Sequence, residues 1–183
     1  EGQGMSPVLK HLNFIHTISS IIIVAVENIR LFKESLRQEA LKKELELAAR
    51  MQKGLIPDNS RMPENPRVVV NGFYYPHYEV GGDYYDCIRL SETKTGFCIA
   101  DVSGKGISAA MLMSNFQASF RALFTYNVHL ETLVYKLNSI VAVNTGGEKF
   151  ITFFVARYDH KGGVLEYINA AHNPPVLYNT VTG

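Results

Sequence analysis

Two short loops carry the residue types best suited to chemistry. One reads Glu79-Val80-Gly81-Gly82-Asp83-Tyr84-Tyr85-Asp86, the other Ile99-Ala100-Asp101-Val102-Ser103-Gly104-Lys105-Gly106. Each sets an aspartate beside glycines, at the edge of a run that reads as a strand. If 84–90 and 96–102 pair as a hairpin, Asp83 and Asp101 fall at the same open end, close together. Two such carboxylates repel, and each raises the other's pKa unless a cation lies between them. Oxygen-only sites suit hard divalent ions such as magnesium or manganese. The neighbouring glycines let backbone carbonyls approach an ion without a side-chain clash. Taken singly, either aspartate is an ordinary turn residue. The metal reading rests on the two together, at matching ends of adjacent strands.

Rival motifs are weaker. Gly81-Gly82-Asp83 is similar to the start of a cyclic-dinucleotide synthase signature, but Tyr84 stands where that signature requires an acid. Gly104-Lys105 falls short of a phosphate-binding P-loop, because Ile99 replaces its first glycine and Gly106 its Ser or Thr. Among the histidines, His11, His16, His77 and His129 have no metal spacing. His172, within Asn169-Ala170-Ala171-His172-Asn173-Pro174-Pro175, reads as a hydrogen-bonded histidine at a strand end. The crowded tyrosines 74, 75, 78, 84 and 85 are accounted for by core packing. Cys87 and Cys98 are too few for a disulfide framework, fit no zinc spacing, and read as small buried residues in a reducing, cytoplasmic setting.

The elements that must position these loops follow from periodicity. Leu12, Ile15, Ile18, Ile22, Ala25 and Ile29 recur at helical spacing, with a buried strand as the alternative for the β-branched run inside them. From Leu31 to Leu55 the chain is rich in Lys, Arg, Glu, Leu and Ala. Glu39–Lys43 and Glu46–Arg50 stand at i,i+4, the acid first. That pattern predicts a helix, either lying alone on a domain or paired in a parallel dimer, with a phase slip between Leu36 and Leu41. Gly54 and Pro57 close it, the glycine as a C-terminal cap. Beyond Asn59, Pro63 and Pro66 mark a loop, and 68–75 reads as a strand with Gly72 as a bulge. Strands are expected at 84–90 and 96–102, helices at 106–126 and 130–143, and a second hairpin at 150–159 and 164–169. Hairpin, two helices, hairpin is an α+β order, with helices packed on antiparallel sheet.

Composition sets the limits. The chain has 183 residues, 46% hydrophobic, with a formal net charge of +1. It is long enough for one domain and an appendage, and its charge argues against a nucleic-acid partner. The apolar run Ile18–Val26 falls short of the roughly 20 residues of a bilayer span, so no membrane is expected. A start at Glu1 suggests a fragment.

Several segments together resemble one family. Leu45-Glu46-Leu47-Ala48-Ala49-Arg50-Met51-Gln52-Lys53-Gly54-Leu55-Ile56-Pro57 resembles the leading helix of bacterial PPM-type serine phosphatases, in the sporulation stage II and sigma-factor regulator branch. Gly81–Asp86 and Ile99–Gly106 resemble that family's first two metal motifs, and Asn169–Pro175 a later strand signature. All four occur in the family's order. Asn13–Phe32 also resembles the last helix of a GAF sensor domain.

The resemblance implies a PPM-like αββα sandwich, C-terminally incomplete, behind a long N-terminal helix. It divides the chain into a GAF-like helix (1–30), a helical signalling linker of coiled-coil type (31–58) and the phosphatase domain (59–183). It implies that Asp101 bridges two Mn²⁺ or Mg²⁺ ions. Asp83 helps hold one, and the Val102 backbone carbonyl completes part of a shell; Asp86 is either a support behind these ligands or purely structural. The ions lower the pKa of a bridging water aimed at the phosphorus of a phosphoserine. Substrates of the family are phosphoserine proteins of the anti-sigma-factor antagonist type, and its members are cytoplasmic and often dimeric through the linker, here 31–55. Later Thr-Asp-Gly-like and Asp-Asp-like motifs do not occur before Gly183, so this stretch alone is expected to be weakly active or inactive. The competing expectations are a non-enzymatic docking or dimerisation module and a small-molecule metal phosphohydrolase.

Overall fold

The structure, a computed structural model, describes residues 7–65, 67–75, 80–125 and 127–181. Its contacts divide the chain into two units, 1–46 and 47–183.

The first unit is helical. Helix α1 runs from Pro7 to Lys53 without a break, and its last two turns, from Leu47, belong to the second unit. The β-branched run is helical, and nearby hydroxyls are absorbed locally. Thr17 Oγ1 donates to the Asn13 carbonyl at 2.8 Å and Ser20 Oγ to that of His16 at 2.9 Å. Bonding one turn back hides the polar atom within the helix. Glu27–Arg30 and Glu39–Lys43 pair at 2.6 and 2.9 Å. The apolar residues form no single stripe: Ile21, Ile23, Val24 and Val26 are exposed beside Ile15, Ile18 and Ile22. A helix apolar all round needs cover from protein or lipid. Because α1 is continuous, an 18-residue window reaches a mean hydropathy of 1.5, and by length and composition this helix is able to cross a bilayer. The expectation from Ile18–Val26 alone counted too short a segment.

The second unit is α+β. Strands β1 (Tyr84–Arg89), β2 (Lys94–Val102), β3 (Ile151–Asp159) and β4 (Val164–Ala170) form one antiparallel sheet in the order β1-β2-β3-β4. Helices α2 (Ile107–Leu123) and α3 (Leu130–Thr145) join β2 to β3. Among the described residues this is the one sheet, so the second layer of the expected sandwich is not seen there. Alternation on β2 decides its faces. Cys98, Ala100 and Val102 are buried, while Ile99 and Asp101 are exposed. Ala109, Met113, Phe116 and Phe120 of α2, with Leu130, Leu133, Leu137 and Val141 of α3, supply helical stripes to the core. Phe153 sits edge-on to Phe116 at 5.0 Å and to Phe120 at 5.7 Å between ring centroids, in geometries aromatic quadrupoles favour.

The boundaries differ from expectation for local reasons. Helix α2 starts at Ile107 because Gly106 has φ 74, outside the helical region. Helix α3 runs on to Thr145, where Gly146 turns left-handed at φ 60 and stops it. Gly54 follows α1 without a positive φ, so it is no left-handed cap. Residues 68–75, expected as a strand with Gly72 as a bulge, join no ladder. What Gly72 provides is room: a Cβ there would lie 2.1 Å from the Tyr85 ring. Both cysteines are free and buried as expected, and burial pushes the Cys87 thiol up to about 11. His77, Tyr78, Glu79 and Pro66 lie outside the described residues.

Candidate metal centre

The β1–β2 hairpin brings the two acidic loops together. Tyr84 pairs with Ala100, so Asp83 and Asp101 face each other one step past the last strand pair. Both are solvent-accessible, and their carboxyls lie within hydrogen-bonding reach of one another. The Asp83 carboxyl is held above its ordinary value of 3.8, first by the protein crowded around it, then by repulsion from Asp101 and the bond between them. A positive charge on His172 acts in the opposite direction.

Three features hold the loops. Gly82 lies so close to β2 and α2 that a Cβ would sit 3.1 Å from the Val102 carbonyl oxygen and 3.3 Å from the Ala109 Cβ. The carbonyl expected to help hold a cation therefore lies against the Gly81-Gly82-Asp83 loop. Ser103 pins the other loop to the residue before β3. Its N–H donates to the Phe150 carbonyl at 2.9 Å and its Oγ accepts from the Phe150 N–H at 2.9 Å. Gln52, in the last turn of α1 and only 7% exposed, provides the third. Its Nε2 donates to the Gly81 carbonyl at 2.7 Å and, more distantly, to that of Ala110 at 3.4 Å, while its Oε1 accepts from the Gly81 N–H at 3.0 Å. One amide thus ties α1, the Asp83 loop and α2 together. Sequence reasoning passed over it, although Leu41, Leu45 and Ala48 place position 52 on the same apolar stripe. A polar residue on such a stripe needs a partner.

Asp86 does not join the pair. Its side chain is fully buried, two residues along β1 from Tyr84, and meets the Arg121 guanidinium at 2.7 and 2.9 Å. The Tyr84 hydroxyl donates to the same carboxylate. Burial, then the nearby Cys98 and Asp86, push that hydroxyl far above its usual range, which keeps it a neutral donor. His172 ends beside the pair, bonded through Nδ1 to Thr152 Oγ1 at 2.8 Å, and Thr152 is the β3 partner of Asp101.

The donors suit a hard divalent ion. Two carboxylates in reach of each other need a proton or a cation between them, and the buried Tyr74 hydroxyl, whose ionisation Asp83 opposes, has no hydrogen-bond partner among the described residues. Among those residues no group of three or more His, Cys, Asp or Glu gathers, so they supply part of a coordination shell.

An antiparallel sheet backed by helices is a fold this chain shares with a solved PP2C domain. The SiaA PP2C domain of Pseudomonas aeruginosa has this fold, at a TM-score of 0.53 and 14% identity over 73% of this chain and 62% of that one. Residues 91–183 match the family described as Stage II sporulation protein E (SpoIIE), and the chain belongs to that family. It is 31% identical over 142 residues to the phosphoserine phosphatase RsbU of Bacillus subtilis, and 27% identical over 146 residues to the phosphoserine phosphatase RsbP of the same organism. Each match covers 78% of this chain, but only 42% of RsbU and 35% of RsbP, so the chain spans less than half the length of these curated relatives.

Proposed function

We propose that this chain forms part of a metal-dependent protein phosphatase that hydrolyses phosphoserine on a regulatory protein of the anti-sigma-factor antagonist type. The observation that carries this reading is the apposition of Asp83 and Asp101 at the ends of adjacent strands, with the Asp83 carboxyl held above its ordinary pKa. Their exposure suits a phosphoserine carried on a protein better than a small enclosed metabolite. In this reading Asp101, Asp83 and the Val102 carbonyl would hold two Mn²⁺ or Mg²⁺ ions, with Asp101 shared between them. When bound, the ions supply Lewis acidity toward the phosphoryl group and lower the pKa of a water. The chain's own part is positional. Gln52 and Gly82 set the Asp83 loop, and Ser103 sets the Asp101 loop. Residues 1–30 act as the last helix of a GAF-like sensor, 31–58 as the signalling linker and 59–183 as phosphatase, in the cytoplasm.

A phosphoserine-protein assay on the full-length protein with Mn²⁺ tests this. Metal-dependent phosphate release supports it, and partner binding without release would favour the docking module. The latter has one observation on its side, the absence of a larger ligand cluster among the described residues.

Gln52→Ala is expected to weaken Mn²⁺ binding about 10-fold or more, as losses of groups that orient metal ligands do. Calorimetric titration measures it, and unchanged affinity would remove Gln52 from the site. The linker is further proposed to form a homodimer, supported by the exposed Ile29, Phe32, Leu36 and Leu41 on a helix laced with opposite charges. Sedimentation equilibrium should find a dimer that Leu41→Asp dissociates. Flotation with lipid vesicles, where the protein is expected to stay unbound, tests the bilayer alternative for α1.

A further inference from the structure

We propose that His172 touches the substrate at the Asp83–Asp101 site, its Nε2 hydrogen-bonding phosphoryl oxygens of the phosphoserine; this deepens the phosphatase reading and rests on it. The turn that carries the ring is held from several directions. Asn169 Oδ1 accepts from the His172 N–H at 2.8 Å, and Asn169 Nδ2 donates to the His172 carbonyl at 3.1 Å and to that of Asn173 at 3.5 Å. Between them Ala171 adopts φ 59, the one positive φ at a non-glycine residue among those described. L-residues rarely adopt that conformation, and it persists where the surroundings over-determine it.

The ring is aimed by the same construction. Its Nδ1 is bonded to Thr152 Oγ1, and Thr152 stands opposite Asp101 in the β2–β3 ladder. That register sets the ring at the end of the sheet where Asp83 and Asp101 face each other. Nε2 has no partner among the described residues. A histidine that merely closes a strand end explains the Nδ1 bond. It does not explain a doubly bracketed, left-handed turn that leaves the second nitrogen free beside two carboxylates. A phosphate dianion arriving there needs neutral or positive donors, because the carboxylates repel it. When Nδ1 accepts from the Thr152 hydroxyl, Nε2 carries the ring proton and the imidazole is such a donor.

Inorganic phosphate, the reaction product, is the probe. In the full-length protein with Mg²⁺, the ¹⁵N resonance of His172 Nε2 is expected to move on addition of phosphate. His172→Ala is expected to raise the inhibition constant of phosphate and KM for the phosphoprotein about tenfold or more, with Mn²⁺ affinity unchanged. His172→Gln, which keeps an N–H donor, should recover part of the loss. Thr152→Val, which unanchors the ring without removing it, should raise KM in the same direction and covers the case in which His172→Ala fails to fold. An unmoved resonance, or unchanged phosphate inhibition in His172→Ala, would overturn the proposal. So would Mn²⁺ affinity falling in step with activity, which would make the ring a support of the metal. The phosphatase reading fails separately, through absence of metal-dependent turnover in the wild type, and the phosphate titration by NMR does not depend on turnover.

Discussion

On the proposed reading, Asp101→Asn is expected to lower phosphoserine turnover by about a thousandfold or more in the full-length protein, because loss of a carboxylate that would hold the ions costs several kcal/mol of barrier. The same substitution should raise metal-free stability or leave it level. The sign comes from Asp83. Its folded-state pKa lies above its ordinary value of 3.8, so the folded domain holds that proton more tightly than the unfolded chain does. This contribution to stability is present at low pH and is lost as pH rises through the raised value. Once the Asp83 proton is lost the two carboxyl groups repel, and an amide in place of the Asp101 carboxyl would relieve that repulsion while offering an N–H to Asp83. The advantage of Asp101→Asn over wild type in melting temperature should therefore be seen near pH 7 with chelator, shrink as the pH falls through the raised Asp83 value, and vanish or reverse with Mn²⁺. A turn aspartate would do the opposite, with near-normal activity and a loss of about 1 kcal/mol or less. Retained turnover in the variant would end the metal assignment.

Arg121→Met is expected to destabilise the domain by about 2–4 kcal/mol, a large part of the usual margin. Asp86 is wholly buried, and without the guanidinium its charge would keep only the Tyr84 hydroxyl and the Cys87 N–H at 2.9 Å. The figure sits below that for a fully enclosed pair because the Arg121 side chain is 49% exposed, so water can take part of its place. Replacing both partners, as Asp86→Asn with Arg121→Met, should recover much of the loss, since no uncompensated charge then remains. Denaturant unfolding of the single and double variants measures the coupling. A single-variant loss under 1 kcal/mol would show the ion pair to be incidental to stability.

What the sequence determined by itself is local or periodic. The alternation along 96–102, the helical stripes at 107–123 and 130–145, and the turns at 91–94 and 160–163 are each set by residues a few positions apart. Hairpin register then follows, and with it the apposition of Asp83 and Asp101. Family resemblance rested on the same short segments. What only the tertiary structure decided concerns partners far apart in the chain. The Gln52 amide reaches Gly81 across 29 residues, Arg121 reaches Asp86 across 35, and Thr152 holds the His172 ring across 20. Residues 68–75 show the converse. Their β-branched and aromatic content is that of a strand, yet a strand needs a neighbour to take its backbone hydrogen bonds, and composition does not supply one. Polar side chains are governed by the same fact: residue type says that a buried Gln, Arg or His must be satisfied, and only the folded chain decides by which atom.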